Sequence, residues 1–139
     1  MTKDIQKKIA GILQNDSDIA AVYLFGSQAK NKGHKRSDID LAILFKKKLS
    51  TGESFQRMQN YFIKLSRLLG HELDLVDLEK INLILSFEVL HGGKILIEND
   101  CSKNRNFIAQ KMIEYFDFEF NLKQCMQGMY LKAMEKRGA

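Results

Sequence analysis

Asp38 and Asp40 stand one residue apart in the segment SDIDLAILF, and ten residues separate Asp38 from the Gly26-Ser27 pair of YLFGS. Side chains alternate along a strand, so the two carboxylates share one face, about 7 Å apart along the backbone. Ile39, Leu41, Ile43 and Phe45 fill the other face with apolar groups. Neighbouring carboxylates repel unless a proton or cation lies between them. Hard oxygen donors suit magnesium, which takes one or two carboxylates and completes its shell with water and substrate phosphates. Gly26 lets backbone approach an anion closely, Ser27 offers a hydroxyl and an N–H, and a helix after the turn would aim its positive end there. A phosphate cradle beside a metal site is equipment for nucleotide chemistry.

The flanking pattern supplies the elements that hold these groups. Ile5, Ile9, Ile12 and Leu13 recur at helical spacing, and Asn15-Asp16-Ser17-Asp18 ends that helix in a polar turn. Ala20 to Phe25 is a short apolar strand suited to the middle of a sheet. After the aspartate strand, Ser50-Thr51-Gly52-Glu53 has the S-x-x-E form of a capping box. Phe55, Met58, Phe62, Leu65 and Leu69 then repeat along one helical face, and Gly70 suits the left-handed position after the helix end. A third strand spans residues 71–78, a dense apolar helix 81–90 and a short edge strand 94–97. This order predicts an α/β (α+β) domain: a mixed β-sheet with helices on one face, leaving the aspartate face open.

G-S, ten residues, then D-x-D leading into an apolar strand resembles the polymerase-beta-like nucleotidyltransferases. The chain is similar to their minimal members, and more narrowly to the MntA-type antitoxins of HEPN/MNT toxin–antitoxin pairs. The tight motif covers residues 26–44, LDLVDL near Leu75 extends it, and the order of elements follows the family to about Ile97. The resemblance implies a polymerase-beta-like fold, ATP as substrate and two magnesium ions. Such a pair needs about three carboxylates. Asp38 and Asp40 are two of them. Asp74 matches the family's hydrophobic-D-hydrophobic position, in a strand expected to pair beside that of Asp38. By resemblance it helps hold the catalytic metal and acts on the attacking hydroxyl. Asp77, three residues on, falls on the opposite face or past the strand end.

The family usually follows the serine with a second glycine and an arginine, G-S-x-A-R-G, where this chain has Gln28, Ala29, Lys30 and Asn31. Asparagine tolerates left-handed geometry, and lysine keeps the charge without the bidentate fork. Arg36, next to the metal site, is a candidate phosphate contact alongside Gly26 and Ser27; a solvent-facing loop residue is the alternative. His34, His71 and His91 form no ligand pattern.

At 139 residues the expected organisation is a nucleotidyltransferase domain over 1–100 and a C-terminal helical extension over 101–139, packed on it. No run reaches the roughly 18 apolar residues of a membrane span, so a cytoplasmic protein is expected, with Cys101 and Cys125 as reduced thiols. Net charge is +5, and part of the excess, Lys30, Lys32, Lys35 and Arg36, falls at the phosphate site. Basic and aromatic residues are not interleaved on a strand, so no direct nucleic-acid binding is expected. The tail is helical in composition, with a break expected near Gly128, and apolar on more than one side. That surplus suits either a partner surface or a fully buried core helix.

The resemblance implies transfer of AMP from ATP to a tyrosine of a cognate HEPN-type RNase toxin, which silences it. Two alternatives remain at this level: an antitoxin that neutralises by stoichiometric binding, and a small-molecule (aminoglycoside-like) nucleotidyltransferase.

Overall fold

A computed structural model describes residues 3–26, 39–70 and 72–138. Its elements run α1 (Lys3–Leu13), β1 (Ile19–Phe25), β2 (Ile39–Phe45), α2 (Thr51–Leu69), β3 (Leu73–Asp77), α3 (Leu83–Gly92), β4 (Lys94–Glu98) and α4 (Cys101–Gly138). The strands form one mixed sheet in the order β3-β2-β1-β4. β1 pairs antiparallel with both β2 and β4, whereas β2 and β3 run parallel. A parallel pair needs a long crossover, which α2 provides.

Apolar alternation decides which residues face which helices. Ile39, Leu41, Ile43 and Phe45 of β2 join Val22 and Leu24 of β1 against Ile9 and Leu13 of α1 and Tyr61 and Leu65 of α2. Each such aliphatic side chain contributes roughly 1.5–3 kcal/mol on burial. The opposite face is not bare. Ala21, Tyr23, Ala42 and Leu44 lie beneath Val89 of α3 and Phe107 of α4. This corrects the expectation of helices on one face: the alanines leave room for α3 and α4 to come close, and Tyr23 is anchored by a buried hydrogen bond from its hydroxyl to Asn104 of α4. Burial pushes the Tyr23 phenol up to about 12, against a smaller lowering by that hydrogen bond.

The caps follow the sequence. Ser50 Oγ accepts from the Glu53 N–H at 3.2 Å, and Gly70 takes φ 64° with its N–H bonded to the Ser66 carbonyl. Arg57 reaches Asp16 at 3.3 Å and Asp18 at 2.6 Å, tying α2 to the turn after α1. Tyr61 donates its hydroxyl to the same Asp16.

α4 is one unbroken helix of 38 residues. The expected interruption at Gly128 does not occur, because a single helical glycine costs only about 1 kcal/mol. Asn104 and Phe107 are buried, and Tyr115 stacks on Phe87 of α3 with ring centroids 3.7 Å apart. From residue 121 to 137 every side chain is exposed, including Met126, Met129, Tyr130 and Leu131. The distal half is therefore not a core helix. No helix among the described residues is long and apolar enough to cross a membrane.

Candidate active site

Asp40 lies near the start of β2, between two strands. Across the antiparallel pairing it faces Phe25, and across the parallel pairing it stands directly opposite Asp74 of β3. Neighbouring strands are about 4.8 Å apart, so the two side chains stand side by side on one face of the sheet. The cover of α3 and α4 ends just before them. Along this face Leu44 and Ala42 are buried and Asp40 half-buried, while Val76 is half-buried and Asp74 exposed. Leu73 and Leu75 turn the other way, into the α1–α2 core.

Gly26 ends β1 beside this pair with φ 76°. A Cβ at this position would overlap Oδ2 of Asp40 and stand 3.3 Å from its Cγ. Glycine is needed twice over, for the left-handed backbone and for the space the Asp40 carboxylate takes.

Ser27, Arg36 and Asp38 lie outside the described residues. Among the described residues no cluster of three His, Cys, Asp or Glu side chains is poised to hold a metal. The paired carboxylates of Asp40 and Asp74 are nonetheless the hard, anionic oxygen donors that magnesium takes.

Asp77 has a different task. It is buried, accepts a 2.7 Å hydrogen bond from Ser54 Oγ of α2, and accepts the Glu79 N–H at 3.0 Å. Its carboxylate fastens α2 to the end of β3 and faces away from Asp40.

A groove of about 800 Å³ opens between α2 and β3, with Asp74 in its lining. Sequence periodicity assigns Phe55 and Phe62 to the core face of α2, but they are 64% and 46% exposed. The buried stripe is instead Ser54, Tyr61 and Leu65, flanked by half-buried Met58. The signal available in the sequence was one aromatic row too many: a helix covering a four-stranded sheet needs one apolar stripe, and α2 carries two.

Comparison with known proteins agrees with this geometry. Residues 7–102 match the family model described as Polymerase beta, Nucleotidyltransferase. The chain is 34% identical over 92 residues to the protein adenylyltransferase MntA of Shewanella oneidensis, an alignment covering 66% of this chain and 63% of that relative. The chain thus spans under two thirds of the length of that curated relative. A crystal structure of a toxin-antitoxin with AMP-PNP superimposes with a TM-score of 0.68 at 23% identity, over 93% of this chain and 98% of that one. A tri-AMPylated Shewanella oneidensis HEPN toxin in complex with MNT antitoxin matches at 0.64 and 26% identity, over 91% and 95%. With the family model spanning well over half its length and two in-register aspartates beside the glycine turn, the chain belongs to the polymerase beta nucleotidyltransferase family.

Proposed function

We propose that this protein is an antitoxin that transfers AMP from ATP to a tyrosine hydroxyl of a HEPN-type RNase toxin and so silences it. The observation that carries the reaction class is the parallel register that sets Asp40 opposite Asp74, with Gly26 packed against the Asp40 carboxylate. The protein acceptor is supported by the similarity to the adenylyltransferase MntA and to the AMP-modified toxin complex. On this reading the reaction is cytoplasmic.

In the transfer, the acceptor oxygen bonds to the α-phosphorus of ATP while the bond from that phosphorus to the bridging oxygen breaks. The electron pair leaves with pyrophosphate, and the hydroxyl proton passes to Asp74, the exposed carboxylate on the open side of the pair. Asp40, with Asp38 before it, supplies fixed negative charge for the cations that accompany ATP. The Gly26-Ser27 turn receives phosphate oxygens, with Arg36 as a further contact. Two magnesium ions, held by Asp38, Asp40 and Asp74, would make the attacking hydroxyl more acidic and neutralise charge on the leaving group.

The test is intact mass spectrometry of a full-length HEPN-domain protein encoded beside this chain, after incubation with the protein, ATP and magnesium. AMP-sized increments that vanish with Asp38→Asn and Asp40→Asn are expected. Protection from toxicity without added mass would replace this reading by a second one, neutralisation by binding, which the exposed apolar distal half of α4 favours.

A further inference from the structure

Beside the Asp40–Asp74 pair runs an open sheet edge. In the sheet order β3 has β2 as its one neighbour among the described residues. The Ile39 N–H bonds to the Glu72 carbonyl, and the Leu78 N–H bonds to the Ile43 carbonyl, both at 2.9 Å. In a parallel pair alternate residues turn both backbone groups to the same side. Residues 72, 74, 76 and 78 therefore face β2, and Leu73 and Leu75 direct their N–H and C=O groups outward. Such a row is a template for another strand. Over it lies the outer side of α2, where Phe55, Phe62 and Ile63 are 64%, 46% and 50% exposed. Together they wall the groove of about 800 Å³ that contains Asp74.

We propose that this groove is the acceptor site: an extended segment of the protein substrate adds as a fifth strand along β3 and so delivers its hydroxyl to Asp74. The inference rests on the AMP-transfer reading for the chemistry, but its geometry stands apart from it. A polypeptide matches this edge, because a backbone repeats donors and acceptors at the spacing of the outward groups of Leu73 and Leu75. Its side chains would alternate like those of β3. One set enters the apolar space under Phe55 and Phe62; the other lies beside Asp74 and Val76. A residue paired with Asp74 projects from the same face with its Cβ about 5 Å away, within reach of a hydroxyl-bearing side chain.

Charge selects the occupant. Asp74 is exposed on this edge, and like charges set opposite each other across a strand pair are destabilising. A second copy of this chain would bring acid against acid. The fitting segment is apolar toward α2 and neutral or basic, apart from its hydroxyl, toward Asp74.

Two measurements on the full chain decide it, with the full-length HEPN-domain protein encoded beside it as probe. Residue-resolved hydrogen exchange should show the Leu73 and Leu75 amides slowing by at least about tenfold at saturating probe, while those of Asp74 and Val76, already bonded to β2, change little. Unchanged exchange at Leu73 and Leu75 overturns the proposal. Protection that instead rises with this chain's own concentration, probe absent, assigns the edge to a second copy and also overturns it. Phe62→Asp, a surface substitution, should raise KM for the acceptor by about tenfold or more with KM for ATP unchanged; an unaltered acceptor KM rejects the groove. If the unsubstituted protein transfers no AMP, the functional reading falls, and exchange at Leu73 and Leu75 still decides the groove.

Discussion

Gly26 and Asp40 occupy one another's space: the Asp40 carboxylate fills the volume a side chain at position 26 would need, and the Gly26 backbone is left-handed at φ 76°. Gly26→Ala therefore meets two penalties. The left-handed conformation costs an alanine about 1–2 kcal/mol, and the methyl group displaces Asp40. A misplacement of about 1 Å can lower a rate about 100-fold, so transfer should fall by that order while the melting temperature drops only a few degrees. Steady-state AMP transfer and thermal melting, measured on one preparation, check both halves.

Asp74→Asn keeps the shape of the side chain and removes its ability to take a proton. Loss of a general base lowers rates by about 100- to 10,000-fold. The drop should appear in kcat, with ATP affinity changed far less, and a nucleotide titration beside the kinetics separates the two.

Asp77→Ala should behave in the opposite way. It strips the buried Ser54 hydroxyl and the Glu79 N–H of their acceptor, and an unsatisfied buried polar group costs about 1–3 kcal/mol. Chemical denaturation should show that loss, with transfer per folded molecule near that of the unsubstituted protein. A large catalytic defect with unchanged stability would exchange the roles of Asp74 and Asp77.

Chelation with EDTA should abolish transfer, and added magnesium should restore it. The melting temperature should scarcely move, since both faces of the sheet are held by buried apolar side chains that do not include the carboxylates of Asp40 and Asp74. A cooperative loss of structure on chelation would contradict this.

Alkaline pH should weaken the fold through Tyr23. Burial raises its phenol from the ordinary value of 10 to about 12. A raised folded-state pKa means that the neutral form is favoured in the native state. Its contribution is therefore complete below pH 10 and declines as pH climbs through 10 to about 12. Tyr61, also pushed up to about 12 by burial and its bond to Asp16, titrates in the same window. Tyr23→Phe should thus flatten, without abolishing, the fall in melting temperature between those pH values.

The local signals in the sequence translate directly into structure. Alternation around Asp40 gives β2, S-x-x-E gives the start of α2, and Gly70 gives its end. What was not legible depends on contacts between distant segments. That Asp74 falls opposite Asp40 is a matter of register, set by how α2 spans the crossover and by the Asp77–Ser54 bond that pins its first turn. Periodicity alone could not divide α2 between a buried stripe at Tyr61 and Leu65 and an open one at Phe55 and Phe62. Nor could it show α3 and α4 resting on Ala21 and Ala42, because alanine carries little hydrophobic signal of its own. The expected roles of Ser27, Arg36 and Asp38 concern residues beyond those the structure describes.

Past Phe116, where the last ring contact with α3 occurs, α4 continues to Gly138, a rod of roughly 33 Å at 1.5 Å per residue. Held at one end only, it acts as a lever. A tilt of about 10° about the Asn104 and Phe107 anchorage would swing its tip by roughly 8 Å on that same rise per residue. Conversely, anything that grips the tip firmly takes hold of the whole sheet by a long handle and sets the bearing of Asp40 and Asp74 from afar.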